Sequence, residues 1–191
     1  MRSLDLGRLL IPGAVATGVT EIPPQALLAR GIRALIVDLD NTLSHWNDTT
    51  CAPGVAEWLR RVREAGIEVC IVSNNGPERV RRFCALLGAD LPWIANAGKP
   101  GRGAYRRAQE RLGVAEGQIA VVGDQVFTDI LGGNRAGLLT ILVHPLGRRE
   151  FPATRLVRLV ERLWLWRLRR RGALGRWWEP AAPASGPSLP G

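Results

Sequence analysis

The sequence has almost no lysine: Lys99 stands alone, and the other 25 of its 26 basic residues are arginine. Cysteine is nearly as scarce. Cys51, Cys70 and Cys84 form no CxxC pair and are odd in number. That argues against a disulfide framework or a structural zinc site and for a reducing compartment. No apolar run approaches the roughly 20 residues that span a bilayer. Ala14-Val15-Ala16 has the look of a signal-peptidase site, but Asp5, Arg8 and Pro12-Gly13 break the stretch before it. The N-terminus therefore reads as mature and cytoplasmic.

What is present suits one domain with a sizeable core. The chain has 191 residues, of which 46% are hydrophobic and 23% charged, so wholesale disorder is excluded. The net charge of +9 is uneven. Residues 1–147 hold 16 basic and 14 acidic residues, whereas residues 148–191 hold 10 arginines against 3 glutamates. A positive field of that kind favours phosphate-rich partners such as anionic lipid or nucleic acid.

From Gly31 onward, short apolar runs alternate with helical patterns. The runs are Ala34–Leu39, Ile67–Ser73, a weaker Leu91–Ala95, Ile119–Gly123 and Leu139–Val143. Between them, Val55–Glu64, Glu78–Leu87, Gly103–Leu112 and Thr128–Ala136 carry apolar residues at helical spacing. Near-continuous apolar strands between helices predict an α/β fold, a doubly wound parallel sheet of about five strands. Such sheets bind ligands beyond the carboxyl ends of their strands.

The predicted strand ends carry chemistry. The first ends in Asp38-Leu39-Asp40-Asn41-Thr42. Residues two apart on a strand point the same way, about 6.6 Å apart, which puts two carboxylates in one crevice. The second ends in Ser73-Asn74-Asn75 before a helix start, where hydroxyl and amide groups favour anions. Lys99 follows the third, and a compact ammonium suits a phosphoryl oxygen and a neighbouring carboxylate. Asp124 and Asp129 follow the fourth. Asp38, Asp40, Ser73, Lys99 and Asp129 each have a structural alternative as a cap, a turn, a partner of the helix dipole or a solvated surface residue, whereas Asp124, at a buried strand end, has none. Together, acids in one crevice call for a hard divalent cation, and carboxylate oxygens suit Mg²⁺. The set fits phosphoryl transfer.

Asp38-Leu39-Asp40-Asn41-Thr42-Leu43, Ser73, Lys99 and Gly123-Asp124…Asp129 resemble, in order and spacing, the four motifs of the haloacid dehalogenase (HAD) phosphatase superfamily. More narrowly the chain is similar to the YqeG-like class IIIA phosphatases, through Ile71–Asn75, GDQVFTD at Gly123–Asp129, Gly132–Gly137, Pro145-Leu146 and Arg149-Glu150. That group has a mitochondrial phosphatidylglycerophosphate phosphatase among its relatives. The resemblance implies a HAD-type Rossmannoid core and a role for each residue. Asp38 would be the nucleophile and form an aspartyl-phosphate, and Asp40 the general acid and base. Mg²⁺ would sit on the Asp38 carboxylate, the Asp40 backbone carbonyl and Asp124, supported by Asp129. Ser73 and Lys99 would hold phosphoryl oxygens, with Asn74 and Asn41 as second contacts, and Thr42 would fix the turn.

Only 30 positions separate Leu43 from Ser73 and 26 separate Ser73 from Lys99. Neither gap has room for a cap domain beside its helix and strand. A capless site, flanked by a short flap over Ser44–Cys51 with His45 and Trp46, suits a phosphate carried on something large. The expected division is a phosphatase core over 1–147 with a lead-in over 1–30, a basic helical segment over 148–178, and a disordered tail over 179–191. In that helix Arg155, Arg158, Arg162 and Arg169 fall on one stripe and Leu156, Val160, Leu163, Trp164 and Leu168 on another. Trp166 borders the arginines, and Arg176-Trp177-Trp178 follows.

The residues leave open whether this helix packs on the core, lies on an anionic membrane or binds RNA. The favoured function is a Mg²⁺-dependent phosphomonoesterase, cytoplasmic or peripheral to a membrane, with phosphatidylglycerophosphate as substrate. The alternatives are a ribosome- or RNA-associated binding module, and a phosphatase of proteins or nucleotides.

Overall fold

A computed structural model of the chain describes residues 6–46, 48, 50–87, 90–147, 152–170 and 174, with backbone alone at 6, 152–158, 162 and 169. The tail 179–191 and Arg176-Trp177-Trp178 lie outside these residues. So do Arg149-Glu150 and the side chains of Arg155, Leu156, Arg158, Arg162 and Arg169.

In chain order the elements are α1 (Leu6–Leu9), β1 (Ala14–Ala16), α2 (Pro24–Ala29), β2 (Ala34–Val37), α3 (Val55–Glu64), β3 (Glu68–Val72), α4 (Pro77–Leu86), β4 (Trp93–Ile94), α5 (Arg102–Leu112), β5 (Ile119–Gly123), α6 (Leu131–Arg135), β6 (Leu139–Val143) and α7 (Pro152–Arg170). The strands form one parallel sheet in the order β1-β6-β5-β2-β3-β4. The five expected strands are present, the weak third shrunk to two residues. The sixth, β1, falls inside the expected lead-in. Ala14-Val15-Ala16 is an edge strand on β6, where three small apolar residues suffice.

Alternate strand residues face opposite layers, as the pleat dictates. Leu35 and Val37 join a core with Leu27 of α2, Trp58, Leu59 and Val62 of α3, and Val80 and Phe83 of α4. Ala34 and Ile36 join Ala104, Tyr105 and Ala108 of α5 on the other face. A strand buried on both faces takes no charged side chain until it ends unless that charge is compensated, and this concentrates the charged residues beyond the strand termini.

A third cluster closes the domain beside β1. Leu10, Val15, Val126, Ile130, Leu131 and Leu142 pack there with Trp164 and Leu165 of α7. The Trp164 indole N–H donates to the Leu10 carbonyl at 3.1 Å. The docked side of α7 differs from the apolar stripe expected from the sequence. Leu168 is buried, but Val160 and Leu163 are exposed, and Glu161 and Leu165 turn inward instead. The reason is local: Glu161 accepts a hydrogen bond from the Phe127 backbone N–H at 3.1 Å, so an acid is drawn to the docked side. No helix among the described residues is long and apolar enough to cross a membrane.

Candidate active site

Register brings the strand ends level. Val37 pairs with Ile71 on one side and Val122 on the other. Asp38, Ser73 and Asp124 therefore emerge within one or two residues of the same line. Past β2 the chain curls back at once: the Leu43 and Ser44 N–H groups donate to the Leu39 carbonyl at 2.9 and 3.1 Å. Leu39 and Leu43, both fully buried, pin the curl to the core. Asn41 adopts φ 61°, a left-handed conformation that asparagine tolerates better than most residues. Thr42 sits inside the curl, its hydroxyl 3.3 Å from Asp38 Oδ2 and 3.5 Å from Asp124 Oδ1.

A crevice of about 220 Å³ lies over these ends, lined by Asp38, Asp40, Trp46, Ser73, Asn74, Asn75, Lys99, Gln125, Thr128 and Asp129. Lys99 Nζ stands between two carboxylates, 2.5 Å from Asp38 Oδ1 and 2.7 Å from Asp129 Oδ1. Burial alone would pull the ammonium down, but Asp129 and Asp38 outweigh it and raise its pKa. Asp38 responds in the opposite sense. Burial pushes its carboxyl up to about 7, Lys99 opposes this, and Asp129 and Asp40 add to the rise. One lysine therefore does not neutralise the cluster.

That imbalance tests whether a metal fits. The carboxylates of Asp38, Asp124 and Asp129 are all buried, and each has an oxygen within 4.8 Å of the others. An all-oxygen, charge-rich donor set of this kind is what a hard divalent cation takes. Asp40 has its carboxylate outside the group.

Asp129 owes its position to two features. It lies not in the first turn of an α-helix, as the sequence suggested, but in a π-helical turn over Val126–Ile130 that leads into α6. Its Oδ2 accepts from the Gln125 N–H at 3.1 Å, folding the carboxylate back on the strand end. There a Cβ on Gly123 would come within 2.3–2.5 Å of the Asp129 side chain, so only glycine permits the approach. The Tyr105 hydroxyl of α5 donates to the carbonyl of Thr128 at 3.1 Å and lies 3.4 Å from that of Asp129.

Asp40 is held by a different set. Asn75 Nδ2 donates to its Oδ2 at 2.8 Å, and the Ser73 hydroxyl lies 3.4 Å from the same oxygen. Arg79 Nη2 donates to Oδ1 at 3.2 Å, and also reaches the Ser44 hydroxyl and the His45 carbonyl. The sequence assigns Arg79 no role, and Asn75 only a place in the Ser73-Asn74-Asn75 strand end. Arg79 is one of three arginines in α4, and Arg81 and Arg82 pair with Glu78 in solvent. Only its place one turn into the helix facing the crevice distinguishes it. Asn74, expected at the phosphate, lines the crevice with both ends of its amide engaged by the Lys99 backbone: Oδ1 accepts from Lys99 N–H at 2.8 Å, and Nδ2 donates to Lys99 O at 3.2 Å. It ties the loop after β3 to the loop after β4. Trp46 lines the crevice from the flap, while His45 is absent from its lining.

A parallel α/β sheet with this constellation at its strand ends defines a class, and comparison with known proteins agrees. The profile of the haloacid dehalogenase-like hydrolases matches residues 45–137, and that of the mitochondrial PGP phosphatases matches residues 2–81. The chain belongs to the haloacid dehalogenase-like hydrolases and is a phosphatase of that family.

Among its relatives is the probable phosphatase YqeG of Bacillus subtilis (strain 168), 40% identical over 167 residues, covering 87% of this chain and 96% of that protein. The chloroplastic/mitochondrial phosphatidylglycerophosphate phosphatase 1 of Arabidopsis thaliana is 27% identical over 172 residues. That alignment covers 85% of this chain and 48% of the plant protein, so the chain spans about half of that relative. An uncharacterized protein from Listeria monocytogenes serotype 4b has the same fold in its crystal structure. It is 20% identical with a TM-score of 0.53, covering 63% of this chain and 85% of that one.

Proposed function

We propose that the protein is a Mg²⁺-dependent phosphomonoesterase that works through an aspartyl-phosphate on Asp38, with phosphatidylglycerophosphate as substrate. The observation that carries the catalytic reading is the convergence of Asp38, Lys99, Asp124 and Asp129 at buried strand ends, with Asp40 beside them but outside the acid triad.

Asp38, Asp124 and Asp129, with the Asp40 backbone carbonyl, would hold Mg²⁺, which when bound supplies positive charge against the phosphoryl group. A carboxylate oxygen of Asp38 attacks phosphorus, and the bond to the leaving oxygen breaks. Asp40 gives its proton to that alkoxide. In the second step Asp40, now a carboxylate, takes a proton from water. The water oxygen attacks phosphorus, and the Asp38 oxygen–phosphorus bond breaks to release phosphate. The Lys99 ammonium and the Ser73 hydroxyl bind phosphoryl oxygens. Asn75 and Arg79 orient Asp40 for both transfers, and Asn74 positions Lys99 through its backbone.

Three features favour a lipid-borne phosphate. The plant relative's name specifies that lipid. Among the described residues, one loop separates β2 from α3 and one helix separates β3 from β4, so nothing there encloses a small metabolite. The C-terminal segment is strongly basic, which suits a cytoplasmic enzyme that works at a membrane surface. The test is phosphate release from phosphatidylglycerophosphate in mixed micelles, with nucleotides and phosphopeptides as competitors, with and without Mg²⁺. Asp38→Asn is expected to reduce turnover to background. Retention of most of the activity would remove Asp38 as the nucleophile. A preference for nucleotide of about tenfold in kcat/KM, or 1.4 kcal/mol at the transition state, would end the lipid assignment alone.

A further inference from the structure

Helix α7 has two unlike sides. At about 100° per residue, Trp164, Leu168, Glu161 and Leu165 share one arc, and Leu159, Leu163, Trp166 and Arg170 share the opposite one. Arg167 borders the second arc, and Val160 lies between the two. The first arc is docked: Leu168 is buried, Trp164 is bonded to Leu10, and Glu161 to Phe127. The second arc faces outward together with Val160: Leu159, Val160, Leu163 and Trp166 are exposed at 54, 50, 62 and 57%. A single exposed leucine is ordinary. Four large apolar side chains grouped on one side of one helix mark an interaction surface.

We propose that this outward face docks on an anionic lipid bilayer. Charge decides the partner. Arg167 borders the apolar residues and Arg170 lies among them, its guanidinium 4.9 Å from the centre of the Trp166 ring. The only acid in the α7 sequence is Glu161, which is turned inward onto Phe127. A second copy of this helix would bring arginines together with no carboxylate on the stripe to answer them. A surface of negative headgroups over acyl chains matches both components, with cations at the phosphates and aliphatic groups below. RNA matches less well: it takes planar side chains for stacking, and three of the four exposed apolar residues are aliphatic.

The position of the face adds a functional reason. Glu161 fastens α7 to the turn that also carries Thr128 and Asp129 of the crevice. Docking α7 therefore holds the catalytic turn close to the membrane. This extends the proposed lipid reading without depending on it.

The test is co-sedimentation of the full-length protein with vesicles of phosphatidylcholine alone or mixed with phosphatidylglycerol. Neither lipid carries a phosphomonoester, so failure here leaves the phosphatase reading, measured in micelles, intact. The protein is expected to bind the mixed vesicles and not the neutral ones, with binding weakened by salt. The Leu163→Ser/Trp166→Ser variant is expected to lose about tenfold or more in partitioning, with hydrolysis of a soluble monoester unchanged. Arg167→Gln/Arg170→Gln is a second variant that spares the apolar residues and should weaken binding to the mixed vesicles. Failure of the wild-type protein to bind mixed vesicles overturns the proposal, as does equal binding to neutral ones. A dimer in analytical ultracentrifugation that the first variant dissolves, without vesicle binding, would assign the face to self-association. RNA binding without vesicle binding would assign it to RNA.

Discussion

At the strand ends the protein buries charge: Asp38, Lys99, Asp124 and Asp129 are each 9% exposed or less. On the outer side of α7 it exposes apolar surface. Folding alone favours the reverse in both places, since isolated buried charges and bare hydrocarbon each oppose stability. The two regions differ in what compensates. In the crevice Lys99 compensates in part, from within the chain. On α7 the described residues leave Leu159, Leu163 and Trp166 more than half exposed. A site that is incomplete in charge calls for an ion and a phosphate, and one incomplete in contact calls for a surface.

The largest effect expected is catalytic. Asp40→Asn keeps the shape of the side chain but removes proton transfer in both steps, so turnover should fall by about 10²–10⁴-fold. Stopped assays of phosphate release measure this, and a loss below tenfold would place the acid–base role elsewhere. Next is the stability of the crevice. Lys99→Met leaves Asp38 and Asp129 buried without their ammonium and should destabilise the fold by about 3–5 kcal/mol. Urea denaturation reads this directly, and a neutral result would mean that solvent reaches the cluster freely.

The comparison sharpens on α7 itself. Leu168→Ala, on the docked arc, should cost about 2–5 kcal/mol, whereas Leu163→Ala, on the outer arc, should stay within about 0.5 kcal/mol. Equal losses in thermal melts would mean that both sides of the helix are packed in solution.

Metal and pH provide a further test. The folded-state pKa of Asp38, about 7, exceeds its ordinary value of 3.8. Its contribution to stability is therefore complete below about 3.8 and is lost as pH rises through 7 in the metal-free protein. A cation that takes the carboxylate form displaces that proton, so Mg²⁺ should raise Tm more at pH 8 than at pH 6. A Tm increment independent of pH across this range would remove Asp38 from the metal site. The smallest catalytic effect belongs to Arg79→Lys, expected to lower kcat by about tenfold, the worth of one charge-assisted hydrogen bond to Asp40. A change confined to KM would instead place Arg79 at the substrate.

The strands and the principal acids were legible in the sequence because buried parallel strands write continuous apolar runs, and the residues that interrupt them stand out. Asp38 and Asp124 are visible for that reason. Lys99 is visible because the chain otherwise uses arginine. Arg79 was not, since in an arginine-rich helix nothing local separates the one that turns inward from Arg81 and Arg82. Asn74 was legible as a site residue, but its attachment to the Lys99 backbone depends on how two loops meet. The π-helical turn at Val126–Ile130 left no periodic signal, because it is a single turn, held by Tyr105 from α5 and by the close approach that Gly123 allows. The inward face of α7 was misplaced because its anchor, Glu161, is an acid among apolar and basic neighbours.

The contact between Trp164 and Leu10 joins positions 154 residues apart, and β1 likewise waits for β6. During synthesis, β2 can find β3 and then β5 while α7 has yet to be made. The strands that carry Asp38 and Asp124 can thus assemble first, and the segment around Leu10 is fastened only once α7 emerges. The enzyme would acquire its chemistry before its clasp, and the face proposed for membrane attachment is presented only after the strands beneath the crevice have been made.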